Sequence, residues 1–540
     1  GIGATLAYNG LDNTVGAYMR GNTINALGTD VDVFVDADNT GKVYGIAAGV
    51  AASTKVAING SVAVNRGGSN TEAIIDKSDE KESAINNAGA VNVTADDETY
   101  RLAVVGSVSA SGKAAIGGGV AYNDIGGSSA DSGSSSQNTT AAVKNTDITM
   151  AANSEETVAA DGEKFVGVNV AAKDDSELNT IAVGVAAAAN AGVQGSAATS
   201  LINKNVSAVI ENTDIDNTDI DNNNASKNAN VTVDAQNNSE ITTSADTASV
   251  AAQGAGVGAG VAVNRIEQQT GAAVNGGTMN VNNLTVNANG TPSIENIGIG
   301  IAVAGQGAGV TGSVSVNMIQ NDVTAHIGSG AYITADGSVG VVATSDEQIA
   351  NYAGQAAVAG QGAGVGVSVA VNQIAGTTSA TVGDEGENEA ETSVTAKGNS
   401  SLDTNTFIRG YEYGYDSENE KENSQINNAL ISQDTVSMNT TINRESENRS
   451  GLVVDASSTR DMKSFLLTAG VGGMGAGVTG TVNVNMIKGA TNAGVANTIV
   501  DGTVGGANAP DKVGVFVNAG DYTNMSGFVG SGGVGGIGAG

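Results

Sequence analysis

The feature that most constrains this chain is a repeated segment, in which a Gly/Ala-rich run leads into an alternating apolar strand that ends in asparagine. The clearest copies are Gly254-Ala-Gly-Val-Gly-Ala-Gly-Val-Ala-Val-Asn264, Gly307–Asn317, Gly362–Asn372 and Gly475–Asn485. Weaker copies end at Asn9, Asn65, Asn123 and Asn203. Self-similarity of this kind is the sequence signature of repeat architectures, in which neighbouring units stack and bury a continuous core.

The spacing of the copies sets the size of the unit. Successive terminal asparagines are 56, 58, 80, 61, 53, 55 and 113 residues apart, so the unit is about 56 residues and the last step is close to two units. A second strand family, such as Val231–Ala235 and Leu452–Ala456, precedes each Gly-rich run. The period-2 strands alternate with no helical pattern. We therefore predict an all-β parallel β-helix (β-solenoid), right-handed, in which each unit of about 56 residues spans two to three rungs.

Composition agrees with a core built from thin, similar layers. The chain has 77 Gly, 11 Tyr, 6 Phe and 2 Pro, with no Trp and no Cys. With so few rings, Val, Ile, Ala and Leu must fill the interior. The scarcity of proline suits uninterrupted strand ladders, because proline removes a backbone donor.

Charge and cysteine content exclude several classes of partner and site. The chain carries 23 Lys+Arg against 56 Asp+Glu, a formal charge of −33. A nucleic-acid binder needs a basic stripe, and none is visible, so we expect no nucleic-acid partner. Adhesion to anionic lipid surfaces is disfavoured for the same reason. The absence of cysteine removes disulfides, thiolate chemistry and cysteine-based metal sites.

The Gly-rich run has three interpretations. It is a tight corner of the coil filled by small residues, a flat strip for lateral packing of a second sheet or rod, or a membrane-inserted strand. Such membrane strands carry aromatic girdles, which the runs lack. The corner is the interpretation that the small residues favour most directly.

Departures from the repeat define the predicted organisation. We expect a β-solenoid over 1–397, a polar loop insertion over 398–450 that emerges from it, and a solenoid over 451–540 that continues beyond the segment. The chain opens and closes at nearly the same phase of the repeat, which predicts a segment of a longer chain.

Two clusters are candidate binding sites. Four aspartates at 214–221 could gather Ca²⁺ through oxygen ligands, although the loop lacks the glycine and glutamate of an EF-hand; they are Asp214, Asp216, Asp219 and Asp221. The insertion holds an aromatic cluster with an arginine, a combination typical of binding hot spots, formed by Arg409, Tyr411, Tyr413 and Tyr415. The alternatives are a solvated aspartate loop and tyrosines that only pack the insertion onto the rod.

Catalytic signals are weak, and we predict no enzyme, no catalytic residues and no cofactor. The Gly-x-Gly-x-x-Gly patterns at Gly307 and Gly475 lead into strands, whereas a dinucleotide site needs a following helix. His326 is the only histidine, and we expect it at the surface or an edge. Paired carboxylates would make a glycosidase only in an acidic cleft with basic residues and aromatic sugar platforms, which the sparse aromatics disfavour.

The motif Ala-Gly-x-Gly-Ala-Gly-Val-x-x-x-Val-x-Val-Asn-x-Ile, at 304–319 and 359–374, resembles the repeats of leukotoxin-type filamentous adhesins. These giant surface proteins of anaerobic Gram-negative bacteria are similar in plan to filamentous haemagglutinins exported by two-partner or autotransporter (type V) routes. The resemblance covers nearly the whole chain outside 398–450.

The resemblance implies an extracellular shaft on the bacterial cell surface that attaches to a host or bacterial receptor, with an outer-membrane transporter or anchor as a further partner. Two alternatives remain open. One is a self-assembling structural filament with lateral or end-to-end contacts through the Gly-rich strips, and the other is a secreted pore-forming toxin of the leukotoxin type.

Overall fold

A computed structural model describes residues 1–25, 31–126, 137–151, 156–158, 164–217, 229–384, 390–400, 402–413, 440–501 and 513–539. At 403–413, 440–448, 513 and 537–539 only the backbone is described. The described residues are all-β and contain no helix, and therefore none that could span a bilayer.

The strands follow one another in chain order as β1 (Ile2–Arg20), β2 (Thr23–Asn25), β3 (Val33–Ser53), β4 (Val56–Asp76), β5 (Ser83–Ala88), β6 (Val91–Ser111), β7 (Ala114–Ile125), β8 (Gln137–Lys144), β9 (Thr146–Met150), β10 (Thr157–Val158), β11 (Lys164–Phe165), β12 (Gly167–Ala188), β13 (Ala191–Glu211), β14 (Asp214–Asp216), β15 (Asn230–Ala251), β16 (Ala255–Asn275), β17 (Gly277–Val281), β18 (Leu284–Gly290), β19 (Ser293–Ala304), β20 (Gly309–Ile327), β21 (Ala331–Ala335), β22 (Val339–Ala359), β23 (Gly364–Val382), β24 (Thr392–Ala396), β25 (Leu402–Tyr413), β26 (Thr440–Val495), β27 (Thr498–Asp501) and β28 (Val513–Ala539).

These strands form three parallel ladders, through which the chain passes in turn. The front ladder contains β1, β4, β7 with β8, β13, β16, β20, β23 and the last part of β26. The back ladder contains β3, β6, β12, β15, β18 with β19, β22, the middle of β26 and β28. The short ladder contains β2, β5, β9, β14, β17, β21, β24 and β27. This arrangement of long parallel strands is consistent with a β-solenoid.

Each repeat unit forms one layer, so the prediction of two to three rungs per unit is wrong. Asn264 pairs with Asn317, 53 residues later, and their side chains are hydrogen bonded at 2.8 Å. A unit such as β15–β16–β17 consists of two strands of 22 and 21 residues and one strand of 5 residues. The prediction took these runs for several short strands, because strands in globular proteins are commonly about 5–6 residues long.

Two further details of the predicted repeat need correction. The step of 113 residues is a single layer and not two units, because the Asn372 and Asn485 side chains are hydrogen bonded at 2.8 Å. The register also places Ser200, and not Asn203, beside Asn123 and Asn264.

The cross-section of a layer is a wedge, and one strand shows how the sequence specifies it. The inward positions of β16 are all buried, with three glycines at the start of the strand and larger side chains after them. In order they are Gly256, Gly258, Gly260, Ala262, Asn264, Ile266, Gln268, Thr270, Ala272 and Val274. The front and back ladders therefore meet at a thin edge of glycine, and they diverge toward a wide base closed by the short ladder.

At the thin edge the two long ladders are in backbone contact. A Cβ atom added to Gly364 would lie only 2.4 Å from the carbonyl oxygen of Val471 on the back ladder. A Cβ at Gly362, in the corner itself, would lie 2.1 Å from the carbonyl oxygen of Gly307 in the preceding layer. These positions support the corner interpretation of the first residues of each Gly-rich run.

The wide base holds the main hydrophobic core. Val, Ile and Ala from all three ladders pack there, with Ile85, Ile148 and Ile333 contributed by the short ladder. A separate column of isoleucines lies nearer the thin edge and includes Ile266 and Ile319.

Between the thin edge and the isoleucine column runs a ladder of buried asparagines. Asn9, Asn65 and Asn123 are linked side chain to side chain at 2.9 and 2.8 Å. A second run joins Asn264, Asn317, Asn372 and Asn485 at 2.8 Å per step. Within each run the amide donates to the next carbonyl, so a polar group that would be costly when buried alone is satisfied; Ser200 takes this position between the two runs.

Candidate functional site

The predicted calcium cluster is only partly within the described chain. Asp214 and Asp216 lie on β14, and Asp214 Oδ1 accepts a hydrogen bond of 2.7 Å from the Thr278 N–H. Asp219 and Asp221 lie outside the described residues. No group of three His, Cys, Asp or Glu suited to a metal occurs among the residues that the structure describes. The calcium site stays a prediction.

The predicted receptor-binding cluster also extends outside the described side chains. Arg409, Tyr411 and Tyr413 belong to β25, whose backbone pairs antiparallel with the first part of β26. Their side chains, and the whole of Tyr415, are outside the described part. The receptor-binding role stays a prediction, as does the division at 398–450.

His326 links two layers on the outer side of the front ladder. Its Nδ1 lies 2.9 Å from Thr381 Oγ1, and its Nε2 lies 3.1 Å from Asp384 Oδ1. The Ser329 N–H donates to the other oxygen of Asp384 at 2.8 Å. The histidine thus ties neighbouring strands and a loop together.

The best-formed depression among the described residues is an open groove of about 580 Å³ on the back ladder. It crosses five successive layers at one register, so it runs along the stacking direction. Its lining consists of Lys42, Tyr44, Glu98, Thr99, Tyr100, Asp175, Ser176, Glu177, Asn238, Ser239, Glu240, Thr291 and Ser293.

Two tyrosines form an aromatic surface at one end of this groove. The ring centroids of Tyr44 and Tyr100 are 5.7 Å apart with the planes tilted by 48°. Tyr44 is 56% exposed, so its ring is available to a ligand. Lys42 lies beside them, with Nζ 3.7 Å from Glu98 Oε1.

The rest of the groove is acidic, and the strand register places like charges next to one another. Glu177 and Glu240 are direct partners on adjacent strands. Burial raises the pKa of Glu240, and Glu177 and Glu295 raise it further. Like charges that face each other across a ladder are destabilising, so the groove favours a ligand that donates hydrogen bonds or carries positive charge.

Sequence reasoning missed both this groove and a set of buried ions. Lys204 lies between Asp97 and Asp174, and the side chains of all three are fully buried. Arg460 is likewise buried and lies 3.2 Å from Glu347. The buried ions occur at inward positions that hold neutral polar residues in other layers, such as Gln268 in line with Lys204.

An exact register would have found these residues from sequence. Once Ser200 replaces Asn203 as the residue in line with Asn264, Lys204 falls at an inward position. The groove has no comparable signal, because its residues are outward and differ from layer to layer.

No family model matches this chain, and no curated protein or solved structure does either.

Proposed function

We propose that this chain is a shaft segment of an extracellular bacterial surface adhesin of the leukotoxin or filamentous-haemagglutinin type, folded as a right-handed parallel β-helix. The observation that supports it best is the unbroken stacking of eight layers, each hydrogen bonded to the next along three ladders. Such an array is stiff along its axis and extends by adding units. The acidic surface keeps neighbouring shafts apart.

Long links between the short ladder and the back ladder support a binding role at the corner where these two ladders meet. The segments that link the short ladder to the back ladder are long at 26–32, 151–166, 217–229, 397–451 and 502–512, whereas the same link is only 282–283 in another layer. In repeat proteins, insertions on one side commonly form the binding surface. We assign receptor contact to this corner, with Arg409, Tyr411, Tyr413 and Tyr415 in its longest link.

Deletion of 398–450 tests this proposal. It leaves Lys397 and Gly451 as a two-residue link, the same length as Asn282–Asn283. Because the layers before and after the insertion already pair directly, we expect an unchanged strand signal in circular dichroism and reduced attachment of beads coated with the protein to host or bacterial cells. Full attachment by the folded deletion variant would remove the receptor role from this segment.

For the ligand class, we propose that the groove on the back ladder binds a glycan chain lying along the stacking direction. Tyrosine rings offer an apolar platform for sugar rings, and carboxylates and amides accept and donate hydrogen bonds to hydroxyl groups. On an array of immobilised glycans, we expect the double variant Tyr44→Ala/Tyr100→Ala to lose the signals that the wild-type chain gives. Tyr332→Ala, at a 50% exposed tyrosine of the short ladder, is the matched control. A wild-type chain that binds no glycan would end this assignment.

A self-assembling filament is the second candidate, and exposed apolar side chains favour it. Near the thin edge the outer side of the front ladder carries Leu6, Val120, Val261, Val314 and Val482, which are 40–73% exposed. The outer side of the back ladder carries Ile46, Val108, Ile299, Ile301 and Leu467, which are 40–64% exposed. Contiguous exposed apolar surface of this kind commonly marks an interaction site.

Sedimentation velocity separates the two candidates. Lateral assembly predicts oligomers that grow with concentration and that the double variant Val261→Lys/Val314→Lys disperses. The matched control places both lysines on the polar half of the same ladder, as Gln269→Lys/Asp322→Lys. If the wild-type chain stays monomeric at all concentrations, the shaft does not assemble laterally and the filament candidate is rejected.

A further inference from the structure

Lys204 carries an amine that is enclosed in the core between two carboxyl groups. Its Nζ lies 2.7 Å from Asp174 Oδ1 and 3.2 Å from Asp97 Oδ2. Lys204 comes from β13 on the front ladder, and the two aspartates come from the adjacent strands β12 and β6 on the back ladder. With the side chains 0% exposed, bulk water is excluded from the cluster.

The two carboxyl groups have different surroundings. Asp97 accepts hydrogen bonds from Thr99 at 2.9 Å and Thr71 at 3.2 Å, and from Ser69. Asp174 accepts one from Ser176, at 2.9 Å to Oδ2. Within the described part of the chain, no donor meets Asp174 Oδ1 with hydrogen-bond geometry, although the Lys204 nitrogen is only 2.7 Å away.

These surroundings separate the protonation of the two groups. Burial raises the pKa of Asp174 to about 6. Burial would also raise the pKa of Asp97, but Lys204 and the hydroxyls of Ser69 and Thr99 outweigh it and leave that pKa lowered. The same carboxylates keep the pKa of Lys204 raised against the effect of burial. The cluster therefore pairs a carboxyl that protonates readily with a lysine–aspartate ion pair, whose proton must move from Lys204 to Asp97 against these shifts before the amine can react.

We propose that Lys204 and Asp174 condense into an intramolecular isopeptide bond, with Asp97 as the residue that transfers the protons. The Lys204 ammonium first gives a proton to Asp97. The free amine then attacks Cγ of the protonated Asp174, so that the Nζ–Cγ bond forms.

Asp97 completes the step by moving two protons. It delivers its proton to the departing hydroxyl of Asp174 as the Cγ–Oδ bond breaks, and it takes one proton from the nitrogen. One water molecule leaves, Asp97 ends protonated, and no oxidant, reductant or co-reactant is consumed.

The fold supplies what this condensation needs. Fixing an amine and a carboxyl in contact replaces a bimolecular encounter by a local one, which accelerates such reactions by very large factors. A lysine amine is a nucleophile once it has lost its proton, and Asp97 Oδ2 lies 3.2 Å from Nζ to accept that proton. The bond would join the back and front strands of one layer covalently, through the interior of the stack.

A second buried cluster, around Arg460, can be compared with the Lys204 cluster. Arg460 is buried near the carboxylates of Glu347 and Asp521, so it repeats the charge pattern of Lys204. A guanidinium is always charged and does not act as an amine nucleophile. No covalent bond is expected there.

The test is intact-mass spectrometry of the folded chain of residues 1–540, with peptide mapping. We expect a mass lower than the sequence mass by one water molecule, and a branched peptide that contains Lys204 and Asp174. Lys204→Arg should have the full sequence mass. A folded wild-type chain at its full sequence mass would overturn the proposal, as would a water loss that persists in Lys204→Arg.

Two further variants keep the test decisive if Lys204→Arg folds poorly. Asp174→Asn keeps an attackable carbonyl but changes the leaving group, so the loss should become one ammonia molecule. Asp97→Asn keeps both reacting groups and removes the proton carrier, so a fraction of the chains should stay uncrosslinked. A purely structural ion cluster would give the full sequence mass in every variant.

Discussion

The inward positions at the thin edge and at the wide base of the inner layers are both buried, yet the two regions are built in opposite ways. At the thin edge the backbone of one ladder lies against the backbone of the other, and glycine is used because no side chain fits. At the base, aliphatic side chains from three ladders fill the space between backbones that have diverged. Added atoms should therefore disrupt the thin edge, whereas removed atoms should disrupt the apolar core toward the base.

The largest effect should come from adding a side chain at the thin edge. In Gly364→Val the new Cβ would meet the backbone of Val471 at 2.4 Å, so two ladders must move apart. We expect a loss of more than about 3 kcal/mol in the free energy of unfolding, measured by chemical denaturation. Gly195→Val is the control, because a Cβ there meets nothing within 4 Å. Equal losses in the two variants would refute the difference between inward and outward glycines.

Removing atoms from the apolar core should have the next largest effect. Ile266 is fully buried in the isoleucine column, so Ile266→Ala should cost about 3 kcal/mol through lost burial and an unfilled cavity. Val261→Ala on the same strand removes an exposed side chain and should change the free energy of unfolding by less than about 0.5 kcal/mol. A small effect of Ile266→Ala would mean that the layers collapse around the gap.

The buried ions predict a pH dependence. Burial raises the pKa of Glu347 to about 7, against the partial compensation by Arg460. The folded chain then holds this proton more tightly than the unfolded chain, so its contribution is complete below about pH 4.5 and is lost as the pH rises toward 7. We expect about 2 to 3 kcal/mol less stability from this residue at neutral pH.

Chemical denaturation between pH 4 and pH 8 measures this effect. The variant Glu347→Gln should flatten the decline, because the buried carboxylate is gone. An equal slope in the wild-type and variant chains would show that Glu347 titrates as it does in water.

The asparagine ladder should give the smallest of these effects. Asn317 accepts from Asn264 and donates to Asn372, both at 2.8 Å. Asn317→Ala leaves the buried Asn264 amide without its acceptor, while Asn372 Oδ1 still accepts from Asn351 at 3.0 Å, and should cost about 1 to 2 kcal/mol. The control Gln269→Ala, on the exposed side of β16, should be close to neutral. A neutral Asn317→Ala would indicate that neighbouring hydroxyls replace the amide.

Particular residues show how far the sequence alone could predict the molecule. The alternation in Gly256–Val274 identified strand and parallel repeat, because a period of 2 with one buried face has no helical equivalent. The step of 53 residues between Asn264 and Asn317 is one layer in the structure, whereas the sequence prediction assigned it to several rungs. Strand length caused the error, since alternation by itself does not say where a strand bends or ends.

The candidate sites were less accessible to sequence. Lys204 was passed over because one misplaced residue in the register, Asn203 for Ser200, exchanges inward and outward positions along a whole strand. Tyr44 and Tyr100 are 56 residues apart in the chain, and only the pairing of β3 with β6 brings them together.

The sequence by itself determined the strands and their parallel stacking, because these depend on local alternation and on the recurrence of one pattern. The tertiary structure alone decided that one unit makes one layer, that two aspartates enclose Lys204, and that tyrosines and carboxylates from four layers line one groove. The physical reason is that such contacts join residues on different strands that lie far apart in the chain. Which residues come into contact depends on the exact register between strands, and no single segment of sequence encodes that register.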